Sequence, residues 1–151
     1  MKVDGPEVLD VTRRAMVARL ATLSRNGRPS INPLYFVCRD NNIWLGTDDW
    51  TLAARNARAD RRVSVLFEVE KDQADVRVLQ LKGYASISTD PKLLRSYNFW
   101  VAWKYILTPP GIRNALAHIR QIPLKLTYNA QSAKKGCPCV IMVIPEHAEF
   151  V

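Results

Sequence analysis

Residues 18–68 constrain the fold more than any other part of this chain, because they alternate strand-like segments with turn signals. Strand-like residues occupy positions 18–23, 29–37, 43–47 and 63–67, and a basic helical pattern occupies positions 51–59. The Asn26-Gly27 pair between the first two segments predicts a β-hairpin with a type I′ turn, since both residues tolerate positive φ. Short strands joined by such turns are typical of an antiparallel, mainly β protein with peripheral helices.

The second predicted strand contains two prolines, Pro29 and Pro33. Proline cannot donate to a sheet ladder, so the pair indicates an edge strand, a bulge, or a place where another group meets the backbone. Period-two alternation along this strand places Ile31, Pro33 and Tyr35 on one face.

The segments on either side of this stretch predict a helix before it and a long strand after it. The helix over residues 5–17 would begin at Asp4, with Glu7 three residues further on in a capping box. The strand over residues 76–88 alternates apolar and polar positions, and Gly83 within it indicates a β-bulge.

A third predicted helix, from residue 90 to about residue 107, is rich in aromatic side chains. The sequence Thr89-Asp90-Pro91 is a helix-start signal. Aromatic side chains lie nearly all round this helix, which predicts burial on more than one side, as at a subunit interface. The remaining predicted elements are a short helix over residues 112–119, a strand over 124–128, and a strand over 140–144 that Pro145 stops.

The composition limits the classes of protein to which the chain can belong. Its 151 residues suit a single domain, residues 1–151, and 48% hydrophobic residues indicate a globular chain. Apolar runs stay far below the ~18 residues of a membrane span. No signal peptide is visible, so we expect a cytoplasmic protein without a membrane partner.

The charge balance predicts an anionic ligand. Lysine and arginine number 22 against 14 acidic residues, for a net charge of +8. Such a surface attracts phosphorylated cofactors, nucleic acid or acidic lipid. Aromatic residues do not interleave with the basic ones and no helix-turn-helix spacing is present, which argues against nucleic acid. The sequence Cys137-Pro138-Cys139 lacks zinc-site spacing, so no metal is expected.

The segment from residue 43 to residue 59 carries the residues best suited to hold an anion. Thr47 ends a predicted strand, and Thr51 is a good N-cap for the helix that follows. A helix N-terminus offers unpaired N–H groups and about half a unit of positive charge, and Arg55, one turn in, could add a forked contact. The alternative is that Thr51 only caps the helix and the arginines are solvated. Spacing alone leaves both interpretations open.

Residues 16–88 resemble the flavin-binding split β-barrel proteins of the pyridoxamine 5′-phosphate oxidase-like superfamily. The matching pieces are residues 21–23, 26–29, 43–47, 51–56, 62–65 and 82–85. The resemblance implies a six-stranded split β-barrel of Greek-key type that forms a homodimer, with two cofactor sites at the subunit interface. In this chain the barrel would comprise residues 18–88 and 123–146, with a helical insertion over residues 90–121.

The same resemblance implies a cofactor and the residues around it. Family members bind FMN or the deazaflavin coenzyme F-420; a minority bind haem, and some have lost the cofactor. Carried over by position, the residues beside the flavin ring would be Ser30, Ile31, Asn32 and Pro33. The ribityl chain and phosphate would meet Thr47 and Thr51, and the following helix carries Arg55 and Asn56.

The chain departs from the family pattern at the phosphate end. Family members often carry a lysine at the position of Ala53, where this chain has Leu52-Ala53. Either Arg55, Arg28 or a cation of a partner chain substitutes, or the site takes another cofactor, or it is empty. Asn32 stands where the oxidase proper supplies an arginine, which argues against oxidation of pyridoxamine phosphate itself.

The resemblance therefore implies a flavin- or deazaflavin-dependent oxidoreductase that transfers hydride between its cofactor and a small-molecule substrate. The alternative is a non-catalytic barrel protein that binds flavin or haem. No acid–base pair stands out: the two histidines are His118, in a predicted helix, and His147, which lies beyond the last predicted strand and should be exposed. Substrate choice would depend on residues 90–137, which match the family poorly.

Overall fold

The computed structural model describes residues 1–69, 75–107 and 137–151. Its helices are α1 (Pro6–Arg14), α2 (Leu52–Ala59) and α3 (Pro91–Ala102), and a π-helical turn (Trp103–Leu107) follows α3. Its strands are β1 (Ala18–Leu23), β2 (Pro29–Leu34), β3 (Phe36–Arg39), β4 (Asn42–Asp48), β5 (Arg62–Glu68), β6 (Val78–Ser88) and β7 (Pro138–Phe150). The helix predicted over 112–119, with His118, and the strand predicted over 124–128 lie outside the described residues. No helix within the described ranges has the length and apolarity to cross a membrane.

The strands form one antiparallel sheet in the order β2-β1-β5-β6-β7-β4-β3. The two ends of that order, β2 and β3, are joined by a single residue, Tyr35. A sheet whose edge strands are one continuous chain must curl until its edges meet, which is how a sheet becomes a barrel. When β2 and β3 are counted as one bent strand, the sheet has six strands. The spatial order β5, β1, β2/β3, β4 is then that of a Greek key. The predicted mainly β split barrel is confirmed, and the homodimer remains a prediction.

The crossing at Tyr35 breaks the strand that was predicted over residues 29–37. The Tyr35 carbonyl accepts hydrogen bonds from the Gly46 N–H, at 3.3 Å, and from the Tyr97 hydroxyl, at 3.2 Å. Backbone groups that leave a sheet ladder need such partners when they are buried. The chain can therefore change from one edge of the sheet to the other within one residue.

Replacing Tyr105 by phenylalanine should destabilise the protein by about 1–3 kcal/mol, the penalty for unpaired buried polar groups. The Tyr105 hydroxyl accepts the Phe36 N–H at 3.2 Å and donates to the Met16 carbonyl at 2.6 Å, and Tyr105 is only 8% exposed. Urea unfolding measures the change. Tyr84→Phe is the matched control because Tyr84 is 43% exposed, and equal midpoints for the two variants would contradict the assignment.

The first hairpin turn differs in type from the prediction. The pairing of β1 with β2 confirms the first hairpin, but within its turn only Gly27 has positive φ, at 76°. The Gly27 N–H donates to the Ser24 carbonyl at 2.8 Å, which is the pattern of a type I turn followed by a left-handed glycine. A type I′ turn occurs in the next hairpin instead, where Asp40 and Asn41 have φ of 51° and 60°.

Two element ends also correct the sequence prediction. The N-cap of α1 is Gly5 and makes no side-chain cap bond, so the predicted Asp4 capping box is wrong. Strand β7 continues past Pro145 to residue 150. Pro145 lies opposite Gly83, where the register shifts in the predicted bulge, and a bulge interrupts the regular ladder that would need a proline N–H.

The inward faces of the strands share one apolar core, which positions the helices. Its largest fully buried side chains are Phe36, Phe67, Leu20, Ile43, Leu45, Leu79 and Ile141. From α2, Ala53 and Ala57 reach this core at 2% exposure each. Because alanine side chains are small, α2 packs closely against the barrel. Its first turn follows directly after the end of β4.

Candidate functional site

The predicted anion site lies where β4 ends and α2 begins. Thr47 Oγ1 is 3.0 Å from Thr51 Oγ1. Thr51 Oγ1 accepts the Ala54 N–H at 3.3 Å and donates to the Asp48 carbonyl at 2.8 Å. Thr51 is therefore the N-cap of α2, as predicted, and the structure brings the two predicted threonines together.

The hydroxyl protons determine what this pair can offer to an anion. Thr51 has one proton, and its bond to the Asp48 carbonyl makes Thr47 the donor in the contact between the two hydroxyls. Thr47 is half-buried at the rim of the barrel. It can turn its proton toward a ligand oxygen and give up one internal hydrogen bond, a loss of about 1 kcal/mol.

The first turn of α2 adds backbone donors and one cation. Its first intrahelical bond runs from the Arg55 N–H to the Thr51 carbonyl, at 3.0 Å, so the N–H groups of Leu52 and Ala53 have no intrahelical acceptor. The Arg55 side chain is exposed on this turn. Ala53 occupies the position of the family lysine and is 2% exposed, so that position faces the core. Arg55 is thus the cation that this turn supplies.

The loop before α2 is held from behind by the start of β7. Asp49 accepts the Cys137 N–H at 3.1 Å and donates its own N–H to the Cys137 carbonyl at 3.0 Å. Arg58 donates to the Asp49 carbonyl at 3.1 Å, so it braces the loop. Burial raises the pKa of the Cys139 thiol to about 11, which keeps it protonated at neutral pH. The described residues contain no group of side chains suited to a metal ion.

The outer edge of β2 presents unusual backbone groups. The Ser24 N–H donates to the Arg28 carbonyl at 2.9 Å, which sets the alternation of hydrogen-bonded pairs along the β1–β2 ladder. By that alternation Pro29, Ile31 and Pro33 direct their backbone groups away from β1. The prolines have no N–H, so Ile31 is the donor among these three residues. The edge position that the prolines indicated is confirmed.

Three of the predicted site residues point inward. Ser30 and Asn32 pair with the buried residues Thr22 and Leu20, and directly opposed side chains share a face of the sheet. The Asn32 Oδ1 is buried and has no hydrogen-bond partner among the described residues. Asn56 is 4% exposed, and its Nδ2 donates to Thr22 Oγ1 at 3.1 Å. Asn56 therefore ties α2 to β1.

Within the described part of the chain, the aromatic helix is buried on one side only. Tyr97 lies on the buried side, and its burial raises the pKa of its hydroxyl to about 12. On the other side, the exposed fractions of Phe99, Trp103 and Ile106 are 57%, 51% and 55%. Sequence reasoning missed the packing of Tyr97 against β4: a Cβ on Gly46 would overlap its ring. The glycine inside β4 was the available signal, because such glycines often mark a close approach.

The fold and its rim define this chain as a Greek-key split-barrel protein. The sequence profile of the pyridoxamine 5′-phosphate oxidase family matches residues 5–120. The chain therefore belongs to that family. No curated protein sequence matches it.

Solved structures of the same fold include proteins with different described roles. A conserved hypothetical protein of Mycobacterium tuberculosis is 22% identical with a TM-score of 0.69, covering 95% of this chain and 81% of its own. The heme storage protein HutZ of Vibrio cholerae is 16% identical with a TM-score of 0.67, covering 99% and 95%. An F-420 reductase is 19% identical with a TM-score of 0.62, covering 93% and 94%. At these identities the likeness shows the fold alone.

Proposed function

We propose that this chain is a cytoplasmic, flavin-nucleotide-binding oxidoreductase that transfers hydride between FMN, or the deazaflavin coenzyme F-420, and a small-molecule substrate. The observation that carries the proposal is the contact of Thr47 with Thr51 at the N-terminus of α2, on the barrel rim. Membership of the pyridoxamine 5′-phosphate oxidase family supports it. An F-420 reductase of the same fold supports the deazaflavin option.

The residues present fit the phosphate of such a cofactor. Thr47 would turn its proton to a phosphate oxygen, and the N–H groups of Leu52 and Ala53 would donate to the same group. Arg55 would replace the family lysine, in a charged hydrogen bond of about 1.5–3 kcal/mol. The positive end of the α2 dipole favours the same charge.

The flavin ring would lie along β2. The Ile31 N–H and the neighbouring backbone carbonyls would bind the polar edge of the ring. Pro29 and Pro33 have no N–H, so Ile31 would be the backbone donor among these three residues. The inward side chains of Ser30, Asn32 and Asn56 would hold β2 and α2 in position from inside the barrel. The bound cofactor supplies the hydride chemistry, while the chain binds and orients it and excludes water.

A homodimer would complete the site. Ile31 on β2 is 59% exposed, and Phe99 and Trp103 on α3 are exposed by more than half. Aromatic side chains are enriched at such interfaces. Sedimentation of the purified protein should give twice the monomer mass of 17.2 kDa; a monomer at micromolar concentration would remove the second protomer from the proposal.

Two variants should test whether the phosphate lies at the N-terminus of α2, where Thr51 is the cap. Aspartate is a good N-cap, so Thr51→Asp should keep α2 folded while its charge repels the phosphate. We expect FMN or F-420 affinity to fall by about tenfold or more, and by a similar factor in Arg55→Ala. Fluorescence titration of each cofactor measures this, and Arg13→Ala, an exposed arginine on α1, is the control. Unchanged affinity in both variants would show that the phosphate binds elsewhere on the protein.

The alternative function is non-catalytic binding of flavin or haem on the same barrel. The buried Ala53 favours it, because the usual cation is absent from that position. The visible absorbance spectrum of freshly purified protein distinguishes flavin, deazaflavin and haem. Reduction of a bound flavin by a nicotinamide donor, coupled to turnover of an acceptor, would exclude the non-catalytic function; a protein that binds neither flavin nor deazaflavin on titration would exclude the oxidoreductase.

A further inference from the structure

The two ends of the proposed cofactor site lie on different strands of the barrel. The ring end is the outer edge of β2, which carries Ile31, and the phosphate end is the junction of β4 with α2, which carries Thr47. A ligand that contacts two sites at once gains affinity only where their spacing matches its own length. A side chain that fixes this spacing therefore influences cofactor binding without touching the cofactor.

Tyr97 on α3 contacts the backbone next to each of these ends. Its hydroxyl donates to the Tyr35 carbonyl at 3.2 Å, and Tyr35 directly follows the last residue of β2. Its ring lies against Gly46 of β4, where a Cβ would overlap it, and Gly46 directly precedes Thr47. One side chain thus joins the end of β2 to the start of the phosphate end.

The backbone bond between the same two strands is long. The Gly46 N–H donates to the Tyr35 carbonyl at 3.3 Å, whereas an ordinary N–H···O bond measures about 2.9–3.0 Å. The Tyr97 hydroxyl adds a bond to this carbonyl, and the Tyr97 ring adds a packing contact with the Gly46 backbone. Loss of the hydroxyl would therefore remove one of the contacts that tie Tyr35 to β4.

Tyr97 is itself held firmly in place. It is 8% exposed and packs in one cluster with Val37 of β3 and Val140 of β7. Burial raises the pKa of its hydroxyl to about 12, and the Gly46 N–H acts in the opposite sense. The hydroxyl is therefore protonated at neutral pH and remains a donor. Side chains locked by packing and hydrogen bonds are those that hold a site to within ~0.5 Å.

We propose that Tyr97 is a positioning residue that sets the distance between the ring end on β2 and the phosphate end at Thr47. It acts through Tyr35 and Gly46 and does not touch the cofactor. This role rests on the proposed function, because it concerns the same site. It places a control point for cofactor binding on α3, outside the strands that carry the cofactor-binding residues.

FMN and riboflavin are the matched probes, because both contain the flavin ring and only FMN carries the phosphate. In the wild type FMN should bind at least about tenfold more tightly, as expected for a charged hydrogen bond to the phosphate. Tyr97→Phe should lower this ratio of affinities by about fivefold, the equivalent of one hydrogen bond, and leave riboflavin binding unchanged. Fluorescence titration measures both affinities. If the wild type binds only F-420, then F-420 and its phosphate-free chromophore replace the flavin pair.

Tyr105→Phe is the matched control for general destabilisation. Tyr105 is also 8% exposed, and its hydroxyl also bonds the backbone at the strand crossing, at Phe36. Within the described part of the chain, none of its hydrogen bonds reaches β4. Tyr105→Phe should therefore keep the wild-type ratio of FMN to riboflavin affinity.

Hydrogen exchange of the cofactor-free protein gives a second readout. Val65 lies in the core at 0% exposure, so its amide reports global opening. In Tyr97→Phe the Gly46 amide should exchange about fivefold faster relative to the Val65 amide than in the wild type, as expected for one lost hydrogen bond.

Three results would overturn the proposal: an unchanged affinity ratio in Tyr97→Phe, an equal loss in the Tyr97 and Tyr105 variants, or a relative exchange rate of Gly46 that does not change. A wild type that binds neither flavin nor deazaflavin would overturn the proposed function, and this role with it. A wild type that binds FMN as expected, with a Tyr97→Phe variant that keeps the ratio, would overturn this role alone.

Discussion

Replacing Gly83 by alanine is expected to lower the free energy of unfolding by about 3 kcal/mol, at the upper end of the usual effect of overpacking. A Cβ at this position would overlap the backbone carbonyl of Ile144 in β7. A backbone atom cannot turn aside as the end of a flexible side chain can. Strands β6 and β7 would have to separate at the bulge, where they border the core.

Urea unfolding followed by circular dichroism measures this loss. Ser86→Ala is the matched control, because Ser86 is an exposed residue of the same strand and surface changes stay within about 0.5 kcal/mol. A Gly83→Ala protein with the midpoint of the control would show that the bulge accommodates a side chain.

Replacing Lys104 by methionine is expected to raise the free energy of unfolding at pH 7 by about 2–4 kcal/mol. Burial lowers the pKa of the Lys104 ammonium to about 7 from 10.5, and each unit corresponds to about 1.4 kcal/mol against the charged form. Contacts offset part of this penalty: Nζ lies 3.4 Å from the centroid of the Phe36 ring and donates to the Thr12 carbonyl at 3.1 Å. Methionine keeps the apolar stem and removes the charge.

The pH dependence gives this prediction a second readout. Between pH 7 and pH 10.5 the unfolded chain holds the Lys104 proton more tightly than the folded protein does. Lys104 therefore makes a positive contribution to the pH dependence of stability in this window, and Lys104→Met should lack it. The raised pKa values of Cys38 and Cys139 contribute with the opposite sign in both proteins. Burial also raises the pKa of Tyr97 and Tyr105, and the comparison between the two proteins cancels their contribution. Lys92→Met, at an exposed lysine, should keep the wild-type slope; parallel slopes for all three proteins would contradict the assignment to Lys104.

Local signals in the sequence predicted most of the secondary structure correctly. Thr51 caps α2 and Asp90 caps α3, because a capping hydroxyl or carboxylate acts on N–H groups two or three residues away. Gly83 forms the predicted bulge. The errors were also local: Asn26 does not take positive φ, while Asp40 and Asn41 do. Turn type depends on how the flanking strands pair, which a dipeptide does not specify.

The candidate site was predictable to the extent that it is local. Thr47 and Thr51 are four residues apart across one strand–helix junction, so their contact at 3.0 Å follows from the order of elements. Asn56 was predicted on the same helix, but its side chain bonds Thr22, 34 residues away. Its inward direction depends on which face of α2 meets the barrel. Whether Asn56 supports the cofactor from behind remains a prediction.

The sequence alone predicted the mainly β class, the hairpins, and a helix N-terminus with two hydroxyls after a strand. Each of these depends on neighbours along the chain. Tertiary structure decided how the barrel closes. The Tyr35 carbonyl meets the Tyr97 hydroxyl 62 residues later, and no local pattern encodes such a pairing. It also decided the partner of the Gly83 bulge, because Gly83 lies opposite Pro145 only once β6 and β7 have paired.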